Sequence, residues 1–133
     1  MILLDTHVLV WVAEDDARLG SGAGRSIDRA LEQDELAVSA FTFWEIAMLA
    51  MKGRLRLAAT PALVRQRALE HGIREIALTG DVAVRAASLQ AFHGDPADRI
   101  IAATAMEVEA ILMTADEALL AWKGGLKMRD ARR

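Results

Sequence analysis

The chain has 133 residues, 53% of them hydrophobic and 26% charged, which excludes a disordered chain and fits one domain, 1–133, with an ordinary core. It contains no cysteine, so a disulfide scaffold and a cysteine-based zinc site are both excluded. Sixteen basic residues against 19 acidic ones leave a net charge of −3, a balance that mildly disfavours binding to a phosphate backbone.

The opening run Met1-Ile2-Leu3-Leu4 has no basic flank and meets Asp5 at once, unlike a signal peptide. Every apolar run breaks well short of the roughly 18 residues of a membrane span, so a cytoplasmic protein without a membrane segment is expected. Ile2-Leu3-Leu4 reads as a buried strand and Thr6 to Ala13 as a helix. The Gly20-Ser21-Gly22-Ala23-Gly24 cluster reads as a loop leading into a helix from Gly24 to Gln33. Leu36-Ala37-Val38 is a second strand, and Ala40 to Lys52 a nearly all-apolar helix closed by Gly53. Thr60-Pro61 opens a helix that ends at His71-Gly72, with Pro in the first turn and Gly past the end. Ile73 to Leu78 is a strand, Gly80 to Ala91 a helix, and Asp95-Pro96 opens a helix to about Val108. Ala110 to Met113 is a strand, Ala115 to Lys123 a helix, and Leu126-Lys127-Met128 an edge strand. Short apolar runs alternating with helices predict an α/β fold: a parallel sheet buried by helices, with its ligand site outside the carboxyl ends of the strands.

Certain acids sit where that site is expected. Asp5 is the only formal charge side chain from Met1 to Ala13, and Glu45 the only one from Leu36 to Met51. Asp95 and Asp98 open the helix containing Ile100-Ile101-Ala102-Ala103, and Asp116 follows the strand ending at Met113. Helix capping is the ordinary explanation for Asp95 and Asp116, and Thr42-Phe43-Trp44-Glu45 and Thr114-Ala115-Asp116-Glu117 both fit the capping-box pattern. Capping explains Asp5 and Glu45 less well. An ionised carboxylate in an apolar stretch costs several kcal/mol unless paired, and no basic residue lies near either in sequence. A divalent cation would relieve both the isolation of these acids and their mutual repulsion, and Mg²⁺ or Mn²⁺ suits an all-oxygen site.

These runs resemble the motifs of PIN-domain ribonucleases. Leu3-Leu4-Asp5-Thr6-His7-Val8-Leu9-Val10-Trp11 is similar to the family's opening strand and helix, and Ser39 to Leu49 to its second acidic motif. The run His93-Gly94-Asp95-Pro96-Ala97-Asp98-Arg99 to Ala105 is similar to the third, and Leu112-Met113-Thr114-Ala115-Asp116 to the fourth. The four occur in family order over nearly the whole chain, although Ala97 stands where an aromatic residue is common. Within the family, so short a chain most resembles the toxin of a VapBC-type toxin–antitoxin pair.

The resemblance implies a three-layer αβα sandwich around a mainly parallel sheet. It implies a Mg²⁺- or Mn²⁺-dependent endoribonuclease with Asp5, Glu45, Asp98 and Asp116 as catalytic, metal-holding acids and Asp95 mainly a helix cap. Water activated on the ion would attack the phosphorus in line, and Thr6 and Thr114 are candidates for orienting water or phosphate. RNA is the expected substrate and a cognate antitoxin the expected partner; the resemblance also suggests a homodimer, consistent with a hydrophobic share of 53%. If the five acids share one site, 16 basic residues face 14 acidic ones elsewhere, a remainder of +2 that no longer disfavours RNA. Lys52, Arg54, Arg56, Lys127, Arg129, Arg132 and Arg133 are candidate phosphate contacts. His7, His71 and His93 show no zinc-ligand spacing, and Trp11 and Trp44 fall in apolar stretches that suit core or interface packing better than base stacking. Two other readings remain: a receiver-like signalling domain, disfavoured because Asp5 lacks an adjacent acid, and an inert PIN-like binding module, disfavoured by the retention of all four acids.

Overall fold

Ile2, Leu3 and Leu4 form the central strand because both faces of it are covered. In the computed structural model, which describes residues 1–133, β1 (Ile2–Leu4) pairs in parallel with β2 (Leu36–Ser39) on one side and β4 (Ile111–Thr114) on the other. The edges are β3 (Arg74–Ile76) and β5 (Met128–Asp130), giving the order β3-β2-β1-β4-β5 with every pairing parallel. The sheet is thus wholly parallel where a mainly parallel one was expected.

Alternation along the strands sorts the core into two layers. Ile2, Leu4, Leu36, Val38 and Met113 face one cluster, which is completed by α1 (Thr6–Ala13), α2 (Ser21–Glu32), α4 (Pro61–Glu70) and Ile46 of α3 (Ala40–Met51). Leu3, Ala37 and Leu112 face the other, against Ile101, Ala102 and Ala105 of α6 (Pro96–Glu107) and Leu119 of α7 (Glu117–Ala121). Helix α5 (Gly80–Ser88) packs outside α6 through Val82, Ala86 and Ala103. This is the expected three-layer sandwich. The chain leaves β1 toward β2 and β3, then returns to the other side of β1 as β4. The crevice outside the ends of β1 and β4 is therefore the topological switch point, where ligands bind in such sheets.

Several boundaries differ from the sequence reading. Helix α2 begins at Ser21, inside the glycine cluster read as a loop. Its first turn lies against the chain's last residues: Gly20 N donates to Ala131 O at 2.8 Å and Gly22 N to Arg133 O at 3.0 Å. A Cβ on Gly20 would run into the Arg133 backbone, so these glycines serve close approach and not loop freedom. The edge strands β3 and β5 pair on one side only; β3 is shorter than expected and β5 lies two residues later. Gly53 and Gly72, at φ +70° and +95°, stop α3 and α4 as the sequence suggested.

Candidate active site

The five singled-out acids all line one cavity, each carried at the N-terminal cap or in the first two turns of a helix; Asp95 and Asp98 follow α5 and not a strand. Asp5 follows β1 and caps α1: Oδ1 accepts from Thr6 N at 2.8 Å, and Oδ2 accepts from the Thr114 hydroxyl at 2.7 Å. Thr114 Oγ1 also accepts from Asp116 N at 3.0 Å, and Asp116 Oδ1 caps α7 by accepting from Leu119 N at 2.9 Å. One hydroxyl thus ties the end of β1 to the end of β4. Asp95 caps α6, its Oδ1 accepting from Ala97 N and Asp98 N at 2.9 and 3.2 Å. Asp98 lies in the first turn of α6 and Glu45 in the second turn of α3. The cavity they enclose, about 290 Å³, is otherwise lined only by His7, Trp11 and Ala115.

No lysine or arginine lines this cavity, and the carboxyl groups respond accordingly. Burial pushes the Asp5 carboxyl above its ordinary value, against the lowering effect of its hydrogen bonds from Thr114 and Thr6 and of nearby His7, while Asp116 adds to the rise. Burial likewise raises Glu45; the Thr6 hydroxyl and His7 offset part of this, and Asp5 and Asp95 add to it. Asp98 is pushed up to about 6, chiefly by burial, with its His93 hydrogen bond opposing and Asp5, Asp95 and Asp116 reinforcing the rise. Five crowded carboxylates, offset only by the imidazoles of His7 and His93, make a mainly oxygen donor set, which is the chemistry that attracts a hard divalent cation. The fit is one of chemistry and not of coordination geometry, since no three acidic or imidazole side chains stand close enough to hold an ion as posed.

Thr6 and Thr114 are fully buried beneath the carboxylates, and the Thr6 hydroxyl meets the Thr42 hydroxyl at 3.1 Å, so neither is open to substrate as posed. The Thr42-to-Glu45 capping box does not form, because Ser39 caps α3 and Thr42 lies inside the helix. The Thr114-to-Glu117 pattern is also displaced, since Asp116 itself is the cap. Trp11 is core, with the Arg18 guanidinium 5.2 Å from its ring centroid. Trp44 is not core: it is 55% exposed and stacks on Phe41 at 4.9 Å. That pair lines an adjoining cavity with Lys52 and Arg54, which shares Glu45 and Asp95 with the acidic one. Among the other basic candidates, Arg132 is committed to Asp130 and Glu117, and Arg129 reaches Ser26 Oγ.

Two residues the sequence reading passed over belong to the site's frame. His93 Nε2 lies 2.6 Å from Asp98 Oδ2. The Arg99 guanidinium donates to four backbone carbonyls, those of Ala86, Leu89, Phe92 and His93, at 3.0–3.2 Å, and so fastens the segment between α5 and α6. The nearness of His93 to the acids in sequence was the only signal for it; nothing marked Arg99 as buried among carbonyls.

A wholly parallel sheet with an acidic cavity at its switch point defines the class, an α/β domain built to gather carboxylates at one crevice. The family model described as PIN domain matches residues 2–123. The chain is 41% identical over 119 residues to Ribonuclease VapC22 of Mycobacterium tuberculosis, covering 89% of this chain and 88% of that protein. It therefore belongs to the PIN-domain family. Among solved structures, VapBC-1 from nontypeable Haemophilus influenzae superposes with a TM-score of 0.71 at 16% identity, covering 100% of both chains. A toxin–antitoxin complex from Klebsiella pneumoniae superposes with a TM-score of 0.65 at 23% identity, covering 98% of each chain. At these identities the structural likenesses speak for the fold.

Proposed function

We propose that this chain is a divalent-metal-dependent endoribonuclease that hydrolyses RNA phosphodiester bonds and acts as the toxin of a toxin–antitoxin pair. The observation that carries the chemistry is the cavity itself: five carboxylates and no cationic lysine or arginine, with three carboxyls pushed above their ordinary range. Asp5 and Asp98 are the principal holders of the ion, with Glu45 and Asp116 completing its shell directly or through water. Mg²⁺ or Mn²⁺ bound there supplies charge neutralisation at the phosphate and a water of lowered pKa.

The protein's own groups hold this site in place. Thr114 and Thr6 N fix both oxygens of Asp5, and Thr114 couples Asp5 to Asp116. Lys52 and Arg54, beside the acidic cavity, take the flanking phosphates of the strand. The toxin role rests on the ribonuclease relative and on neighbours solved as toxin–antitoxin complexes. An antitoxin that masks the acids, a homodimer and a cytoplasmic site of action follow from the same reading; no helix is long and apolar enough to cross a membrane.

Incubation of single-stranded RNA with the purified protein tests this. Cleavage is expected with Mg²⁺ or Mn²⁺, lost in EDTA, and absent from an Asp5→Asn variant whose circular dichroism matches wild type. Cleavage by Asp5→Asn at the wild-type rate would overturn the proposal.

A further inference from the structure

We propose that His93 is a positioning residue for the nuclease site, holding the Asp98 carboxylate in the pose that faces the acidic cavity. The proposal rests on the reading of Asp98 as an ion-holding acid. His93 Nε2 takes Asp98 Oδ2 at 2.6 Å, while Oδ1 has no hydrogen bond from the protein, and Asp98 lines the cavity. One carboxylate oxygen is thus anchored and the other left for a ligand. The Asp98 side chain is only 14% exposed, so this is not a loose surface pair of the kind that contributes little.

The imidazole is itself immobilised from two directions. Its ring stacks on Phe92, with centroids 4.5 Å apart and planes 19° from parallel. Phe92 is in turn held edge-on by Trp122 at 4.9 Å and covered by the Arg99 guanidinium at 5.5 Å. Arg99 Nε also grips the His93 carbonyl at 3.2 Å. Residues 92, 93, 98 and 99 therefore form one frame around the start of α6. A ring fixed by stacking and by its backbone can donate a directed hydrogen bond without losing side-chain freedom each time the site is loaded. Groups that orient ion-holding carboxylates in this way carry about 10–100-fold in metal affinity or activity.

Calorimetric titration of the full-length protein with Mn²⁺ alone tests this, alongside metal-free thermal melts. Asp98→Asn should bind Mn²⁺ weakly. His93→Phe retains an aromatic ring for stacking on Phe92 but donates nothing, and should weaken Mn²⁺ binding by about 10-fold or more, as should His93→Ala. His93→Gln, whose amide nitrogen can reach the same oxygen, should recover most of the affinity. Wild-type Mn²⁺ affinity in His93→Phe, with Asp98→Asn impaired, overturns the proposal alone. Equal weakening in His93→Gln and His93→Phe also overturns it, because ring packing and not the hydrogen bond would then be responsible. Undiminished binding in Asp98→Asn removes Asp98 from the ion site and overturns both this proposal and the assignment beneath it.

Discussion

The Thr114 hydroxyl donates to Asp5 Oδ2 at 2.7 Å, joining residues 109 positions apart. Because Thr114 Oγ1 also accepts from Asp116 N, Thr114→Val strips a buried carboxylate of a donor and leaves a backbone N–H without its acceptor. Each such loss costs about 1–3 kcal/mol. Thr114→Val is expected to lower stability in urea by about 2 kcal/mol or more, while Thr114→Ser, which keeps the hydroxyl, stays much closer to wild type.

Arg99 is expected to behave as a structural residue and not as an RNA contact. Its four carbonyl partners lie at the end of α5, at Ala86, and in the segment between α5 and α6, at Leu89, Phe92 and His93. Arg99→Met should destabilise by at least about 3 kcal/mol in urea, since bonds from a charged donor contribute more than neutral ones. Arg99→Lys should recover little, because an ammonium cannot reproduce the planar fork. The salt dependence of RNA binding should be unchanged in a folded Arg99→Lys protein.

The raised Asp98 carboxyl predicts an inverted pH profile for the metal-free protein. With its folded value near 6 and an ordinary value of 3.8, the native state binds more protons than the unfolded chain between those limits. Stability in EDTA should therefore fall as pH rises from about 4 to about 6 and level off above, by on the order of 3 kcal/mol from this group. Burial of Asp5 and Glu45 pushes in the same direction. Asp98→Asn should be more stable than wild type at pH 7.5 in EDTA, with the difference shrinking toward pH 4, as read by thermal melts.

Lys52 and Arg54 lie beside the acidic cavity without a carboxylate ion pair, whereas Arg132 is bound to its own chain's acids. Replacing both Lys52 and Arg54 by Ala should weaken RNA binding and reduce the slope of log affinity against log salt by about 1.4, the counterion release of two single-strand phosphate contacts. Arg132→Ala should leave that slope unchanged and cost stability instead.

Much of the fold and of the acid cluster could be read from local pattern. Ile2-Leu3-Leu4 had to be buried on both faces, and Asp5 stood out because no other formal charge lay nearby in its apolar run. Asp95 and Asp116 were readable both as caps and as site acids; in the structure each caps a helix and also lines the acidic cavity. What escaped depended on partners distant in the chain. The start of α2 is set by the backbone of residues 131 and 133, which no glycine count reveals. Thr6 and Thr114 looked available for substrate, yet their hydroxyls are engaged beneath the carboxylates. Trp44 sits in an apolar stretch but points outward, because α3 buries Thr42 and Ile46 instead.

The most direct measurement is anomalous diffraction from a crystal of this protein soaked with Mn²⁺. A peak is expected inside the cavity bounded by Asp5, Glu45, Asp98 and Asp116, with Asp5 and Asp98 oxygens among its ligands and the peak absent from Asp5→Asn crystals. Density for the ion only elsewhere on the surface, with these carboxylates unmoved and unligated at saturating Mn²⁺, would show that the acids meet for some purpose other than holding metal.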